Sequence, residues 1–310
     1  ASVLKTKASE TVKRLPNTLW HMIYLEIWLK TIIIVLCSTN SSGFNYFSNN
    51  NTCQLIDNFT LNYVLQQNLD SEFCFLQPPT ALCTNVLDNS LLVAYFSFDS
   101  PSPLSYVGST GLTAIESGQM TVPGHLNEAL LFTGSTNSYF QIGNLGVVGT
   151  RDQSFSISLW INPTVLTGST IVHVSLGWEG QGGWCLPFIG FTISGHIAVQ
   201  MWQGSYAPSV IGPILLLNTW THVVETFSVA NGLKLYINGY LYSATYSISQ
   251  FFASGSPMFL TVGSAIYASF PACSNLGVLP FTSFAGGVDE LRVYSRELIA
   301  EDVCTLYYFY

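Results

Sequence analysis

The chain has 310 residues, a formal net charge of −8 and only 8% charged side chains, against roughly a quarter in an average soluble domain. Five of its basic residues (Lys5, Lys7, Lys13, Arg14 and Lys30) fall near the start, so residues 31–310 carry four basic against fifteen acidic side chains. That balance excludes nucleic-acid binding, which needs clustered Lys and Arg, and the lack of a second long apolar run after residue 37 excludes a polytopic membrane protein.

Residues 19–37 are mostly apolar, with Glu26 and Lys30 inside them. A basic region, a short apolar core from Thr31 to Leu36, and the small residues Cys37, Ser38 and Thr39 follow the order of a secretory signal peptide, with Met22 as an internal start and cleavage near Thr39. The rival is an uncleaved signal-anchor helix, because the run is long enough for one crossing and basic residues flank only its N-terminal side. Glu26 and Lys30 would then each cost about 2.5–3.5 kcal/mol in the bilayer, softened by their i, i+4 spacing. Both readings assign residues 1–39 to a leader and place the rest outside the cytosol. A membrane contact is expected only through such an anchor.

Three glycosylation sequons follow, at Asn40, Asn50 and Asn58, in agreement with lumenal exposure. The stretch 40–89 is Asn-rich and holds Cys53, Cys74 and Cys83. It is expected to be a small Cys-containing segment or linker, with a short helix within 55–69.

From residue 90 the texture changes to short apolar runs separated by Gly, Pro, Ser and Asn, the pattern of an all-β sandwich or barrel over 90–310. In Phe155-Ser156-Ile157-Ser158-Leu159-Trp160-Ile161 the odd positions share one face of a strand and the serines take the other. In Leu233-Lys234-Leu235-Tyr236-Ile237 the leucines and Ile237 form the apolar face. Asn238-Gly239 then supplies a two-residue turn, because type I′ geometry needs positive φ at both positions. After residue 90 one helix is predicted, around 300–307, with Glu301 and Asp302 in its first turn, where carboxylates complement the helix dipole.

Of seven cysteines, Cys37 lies in the leader and six lie beyond it. None forms a CxxC pair, which argues against zinc. An even set suits disulfides in an oxidising compartment, with 15 possible pairings. Cys185 with Cys273 is the favoured pair, since both sit in Gly/Pro-rich loops of the same domain.

The strand blocks carry a resemblance. LVAYFSFD (92–99), ALLFTG (129–134), YFQIG (139–143), SFSISLWINP (154–163), NTWTHVVETFS (218–228), GLKLYINGYL (232–241), LTVGS (260–264) and GGVDELRVYSREL (286–298) stand in the order found in the laminin-G-like jellyroll family. The resemblance implies a concanavalin A-like fold, two antiparallel sheets in a jellyroll sandwich, and a domain that binds carbohydrate or protein ligands outside the cell.

Three functions are weighed: a lectin-like module binding a glycan or glycoprotein, a structural or adhesive module whose ligand is an extracellular protein, and a glycoside hydrolase. A retaining hydrolase needs two carboxylates about 5–5.5 Å apart. No E-x-D-x-E alternation occurs, Asp289 and Glu290 are adjacent and expected on opposite faces, and the acids between 150 and 285 are only Asp152, Glu179 and Glu225. The chain is therefore expected not to be an enzyme. Asp289, read as sharing the apolar face of its strand with Leu291 and Val293, needs a partner. The resemblance implies a structural calcium there, with Asp99 as a second ligand, although Ser100-Pro101-Ser102-Pro103 replaces the family's usual residues after that strand. Backbone amides are the alternative partner. For a sugar, whose C–H faces stack on rings, the candidates are Trp178 and Trp184 in a Gly-rich loop, with Trp202, Gln203 and Tyr206 in another. Packing into the domain is the competing role for these rings. Trp160 and Trp220 are assigned to packing.

Overall fold

The computed structural model describes Cys83 and residues 86–246, 248, 250–269, 273 and 277–310 in full, together with the backbones of five strands between residues 21 and 75. The chain divides into two compact units, Ala1–Leu82 and Cys83–Tyr310. In the first, β1 (His21–Ile27) pairs antiparallel with β2 (Lys30–Leu36), and β3 (Ser41–Phe47) pairs with both β4 (Thr52–Asp57) and β5 (Ser71–Phe75).

This corrects the expected leader helix. The described part of that stretch is extended, with Ile23 opposite Ile34 and Glu26 opposite Thr31. The run of Thr31, Ile32, Ile33, Ile34 and Val35 is β-branched throughout, which disfavours a helix and suits a strand. Residues 55–57 of the segment expected to hold a short helix lie in β4, and residues 58–69 lie outside the described residues. Asn40, Asn50 and Asn58 lie outside the described residues. Among the described residues no helix is long and apolar enough to cross a membrane.

The second unit opens with β6 (Leu92–Phe96), β7 (Val107–Gly108), β8 (Thr113–Ser117), β9 (Met120–Pro123), β10 (Glu128–Thr133) and β11 (Tyr139–Leu145). It continues through β12 (Phe155–Pro163), β13 (Ser169–Ser175), β14 (Cys185–Phe191), β15 (His196–Gln200), β16 (Ser209–Ile214) and β17 (Thr221–Ser228). It closes with β18 (Gly232–Ile237), β19 (Tyr240–Thr245), β20 (Met258–Val262), β21 (Ala285–Tyr294) and helix α1 (Ala300–Phe309). Two antiparallel sheets result. The front sheet runs β19-β18-β17-β12-β21-β10-β9, with β6 also on β21 and β7 on β6, and the back sheet runs β16-β15-β14-β13-β20-β11-β8.

The alternation read from the sequence fills the space between them. Phe155, Ile157, Leu159 and Ile161 from β12, Leu233 and Leu235 from β18, and Phe188 and Phe191 from β14 join one buried core. Each such side chain taken from water contributes about 1.5–3 kcal/mol. Asn238 and Gly239 hold φ of 50° and 85°, the mirror-image turn that lets Ile237 pair with Tyr240.

Both outer faces are largely roofed. Helix α1 lays Val303 and Leu306 on Val224, Tyr236 and Tyr294 of the front sheet, and Cys83–Cys304 ties it to the start of the unit. Over the back sheet runs the connection from β20 to β21: Thr170 bonds to Thr282, Gln200 Oε1 accepts from Val278, and Phe281 edges onto His173. Cys185–Cys273 fastens that connection to β14, the pair favoured from sequence. This explains why β13 and β14 are buried along their whole length. The two ends of the sandwich remain as the open surfaces.

Candidate functional site

Strand β13 runs from loop 164–168 to loop 176–184, and β15 from loop 192–195 to loop 201–208. Loops 176–184 and 201–208 therefore share one end. There the sequence-predicted aromatics meet residues the sequence reading overlooked. The Trp184 indole N–H donates to the Phe252 carbonyl at 3.0 Å, and the Phe252 N–H donates to the Trp202 carbonyl at 3.0 Å. Gly204, with φ of 96°, brings its backbone against the Phe252 ring. The Arg151 guanidinium sits 4.0 Å from the centre of that ring, close enough for a cation–π contact.

Trp184, Trp202 and Gln203 are half-buried, and Tyr206 is 50% exposed at the tip of the turn closed by the Gln203 N–H to Tyr206 carbonyl bond. Gln203 Oε1 is buried without a hydrogen-bond partner. Packing and display thus divide between atoms of the same residues: Trp184 packs one edge on Phe188 and Phe251, while the turn beyond Trp202 faces water.

Trp178 is separated from this group. The same loop carries positive-φ glycines at 180, 182 and 183, and the chain doubles back between Trp178 and Trp184, the Leu176 N–H donating to the Trp184 carbonyl. The Trp178 carbonyl accepts from Gln141 Nε2 at 2.8 Å, and its ring is 57% exposed. Of the five predicted residues, four share one site and Trp178 flanks it.

The carboxylates lie elsewhere. A β-bulge in β21, with Glu290 at φ 54°, breaks the alternation, so Asp289 pairs across from Trp160 on the outer face of the front sheet. This corrects the expected placement beside Leu291 and Val293, which do face the core. Glu290 turns outward as well and meets Arg292 at 2.7 Å and the Tyr95 hydroxyl at 2.9 Å, so the two acids are not on opposite faces. Asp289 accepts from the N–H of Leu126 at 3.0 Å and of Glu290 at 2.8 Å. Asp99 accepts from the Glu128 N–H at 3.1 Å and from Asn127 Nδ2 at 3.4 Å. Both acids thus pin the loop 124–128, and the backbone-amide alternative holds for Asp289. Burial drives the Asp289 carboxyl up to about 7, the Leu126 N–H opposing this and the Glu290 charge adding to it.

The same loop closes tightly over Gly124. A Cβ there would stand 2.6 Å from Asp289 Oδ2, 2.6 Å from the Leu126 carbonyl oxygen and 2.7 Å from that of Glu128, so the packing admits glycine alone. Among the described residues no three His, Cys, Asp or Glu side chains gather as a metal site of side chains alone would require.

A serine–histidine contact occurs in the front sheet, Ser158 Oγ to His222 Nε2 at 2.9 Å. Both residues are buried, His222 Nδ1 has no partner, and His222 is covered by Trp160 and Tyr307. Trp160 itself is buried between the sheet, His125 and Tyr307, in keeping with its packing role.

A laminin-G family model, described as the concanavalin A-like lectin/glucanases superfamily, matches residues 133–304, more than half of the chain. The chain belongs to this superfamily. No curated protein matches it. Among solved structures it is similar to the binding domain of Paraclostridial Mosquitocidal Protein 1, with 16% identity over 71% of this chain and 52% of that one, at a TM-score of 0.50. It is also similar to the botulinum neurotoxin serotype G binding domain, with 17% identity, 70% and 50% coverage, and a TM-score of 0.49. A third is domain 4 of an extracellular arabinanase from Geobacillus stearothermophilus, solved with arabinotriose, with 21% identity, 69% and 97% coverage, and a TM-score of 0.45. The chain spans about half the length of the two toxin domains. At these identities the likeness speaks for the superfamily fold alone.

Proposed function

We propose that the unit Cys83–Tyr310 is an extracellular recognition module that binds a carbohydrate, free or on a glycoprotein, at the end formed by loops 176–184 and 201–208. The observation that carries this is the clustering there of Trp184, Trp202, Gln203 and Tyr206 on Phe252, with Tyr206 open to solvent. An exposed ring stacks on the C–H face of a sugar, and the half-buried Gln203 beside it carries an amide able to bond a hydroxyl. Arg151 at the rim adds a donor. Two disulfides in the unit support a location in an oxidising, extracellular compartment.

The module is read as a binder and not an enzyme. Glu225 faces the closed interior, Glu290 is paired with Arg292, and Ser158 with His222 is out of reach of a substrate. A structural calcium belongs to the same proposal, with Asp289 and Asp99 as its candidate ligands. It would serve as counter-ion to a buried carboxylate and do no chemistry.

A glycan array probed with the secreted chain tests the function. Binding that falls at least about tenfold in Tyr206→Ala and Trp202→Ala, with melting unchanged in the first, is the expected result. Failure to bind any glycan would transfer the module to the second reading, a structural or adhesive domain with protein ligands.

A further inference from the structure

The opposite end of the sandwich has a different chemistry. Loop 164–168, loop 192–195 and the crossing 215–220 converge there: the Gly168 N–H bonds to the Thr192 carbonyl at 3.0 Å and the Asn218 N–H to the Pro163 carbonyl at 2.8 Å. A Cβ on Gly168 would lie 3.7 Å from Ile193 Cα, and one on Gly195 would lie 3.6 Å from Leu166 Cβ, so the loops touch. On this joined surface Val165, Ile193, Ile214, Leu216 and Leu217 are exposed, Ile193 to 83% and Leu216 to 71%. Burial of an aliphatic side chain is normally favourable by about 1.5–3 kcal/mol, and a contiguous group of them left in water marks a contact site.

We infer that this end dips into the surface of an electrically neutral lipid bilayer. Three observations favour a membrane over a protein partner. First, between Asp152 and Glu225 the chain has one Asp, Glu, Lys or Arg, namely Glu179, and it lies in the loop at the other end. A protein interface ordinarily has a polar, charged rim, and this tip has none. Second, five backbone N–H groups of these loops are already satisfied within the protein: Gly168 and Gly195 donate to Thr192, Thr192 to His196, Thr164 to Ala285 and Asn218 to Pro163. Entry into an apolar medium leaves those donors paired, which removes a cost of several kcal/mol per group. Third, Trp220 lies half-buried just behind Leu216 and Leu217, packed over Gly287, at the level where indoles settle in a membrane interface. Residues 31–310 carry four basic against fifteen acidic side chains, so anionic headgroups repel this part of the chain and neutral ones do not.

The test is co-flotation of the full chain with phosphatidylcholine vesicles. The wild-type chain floats with them, and Leu216→Ser/Leu217→Ser reduces the vesicle affinity at least about tenfold, from the transfer free energy of two leucine side chains. Val229→Ser removes an exposed aliphatic residue at the other end and leaves flotation unchanged. Phosphatidylserine mixed into the vesicles weakens binding. No flotation with phosphatidylcholine, or equal flotation of the double variant, overturns the inference. Concentration-dependent self-association in the ultracentrifuge, abolished by the double variant and without vesicle binding, also overturns it and assigns the tip to contact between copies. Melting curves of both variants show that each is folded.

Discussion

Glu225 sits in β17 between Val223 and Phe227, opposite Ile157 on one side and Leu235 on the other, so its side chain points into the closed core. It is fully buried and neither carboxyl oxygen has a hydrogen-bond partner. Burial raises its pKa well above the ordinary carboxylate value, and the folded protein carries it protonated. Two consequences follow. A buried polar group without partners costs roughly 1–3 kcal/mol by protein mutational data. We predict that Glu225→Leu recovers about that much, a rise in Tm of roughly 2–12 °C at about 2–4 °C per kcal/mol for a domain of this size. The second consequence is a pH dependence. The fold binds a proton that the unfolded chain releases above its own carboxyl pKa, so stability is complete below that value and declines as pH rises, by up to about 1.4 kcal/mol per pH unit. Glu225→Gln keeps the size and polarity and removes the titration. Thermal melts from pH 5 to pH 9 should therefore diverge: wild type loses stability relative to Glu225→Gln as pH increases. Parallel curves, or a Glu225→Leu variant less stable than wild type, would refute the reasoning, because either result means that the carboxyl is solvated or bonded.

Other predictions concern single features. Cys273→Ser opens the Cys185–Cys273 loop of sequence separation 88 and should cost about 2–4 kcal/mol, read as a lowered denaturation midpoint. Gly239→Ala strains a residue at φ 85° and drives a methyl to 3.0 Å from Tyr307 Cβ; a loss of about 1–2 kcal/mol is expected, while Asn238→Gly keeps the backbone at φ 50° unstrained and should cost about 1 kcal/mol through the bond its side chain accepts from the His222 N–H. Calcium should raise the Tm of the wild-type chain in proportion to the logarithm of its concentration above Kd and leave Asp289→Asn unmoved. A chelator-insensitive wild type would remove calcium from the account.

What could be read from the sequence was whatever depends on local period. The strand faces of β12 and β18 follow from two-residue alternation, the Asn238-Gly239 turn from its φ requirement, and α1 from the acidic residues of its first turn. The same rule failed at β21, because alternation assumes an unbroken ladder and Glu290 inserts a bulge that reverses Asp289. The sequence reading weighed Glu225 only as a possible hydrolase acid, because an acid in an apolar row carries no local sign that nothing will bond to it. Cys185 with Cys273 was legible from loop composition; Cys83–Cys304, at a separation of 221, was not. The candidate site was half legible. Trp184 and Trp202 stood out as aromatics among turn residues, while Phe252 and Arg151, which join them, come from distant segments without a motif. Trp178 and Trp184 share a loop that turns back through three positive-φ glycines, and Trp178 is tied through its carbonyl to Gln141 instead of to Phe252.

The proposal that sugar meets the loop end around Trp202 is tested most directly through the indole N–H signals of the tryptophans, followed by NMR while the best glycan from the array is titrated in. The account predicts that Trp202 and Trp184 shift together along one binding curve and that Trp160 and Trp220, packed on the front sheet, stay still. Shifts confined to Trp160 or Trp220, or a saturated complex in which no indole signal moves, would contradict it.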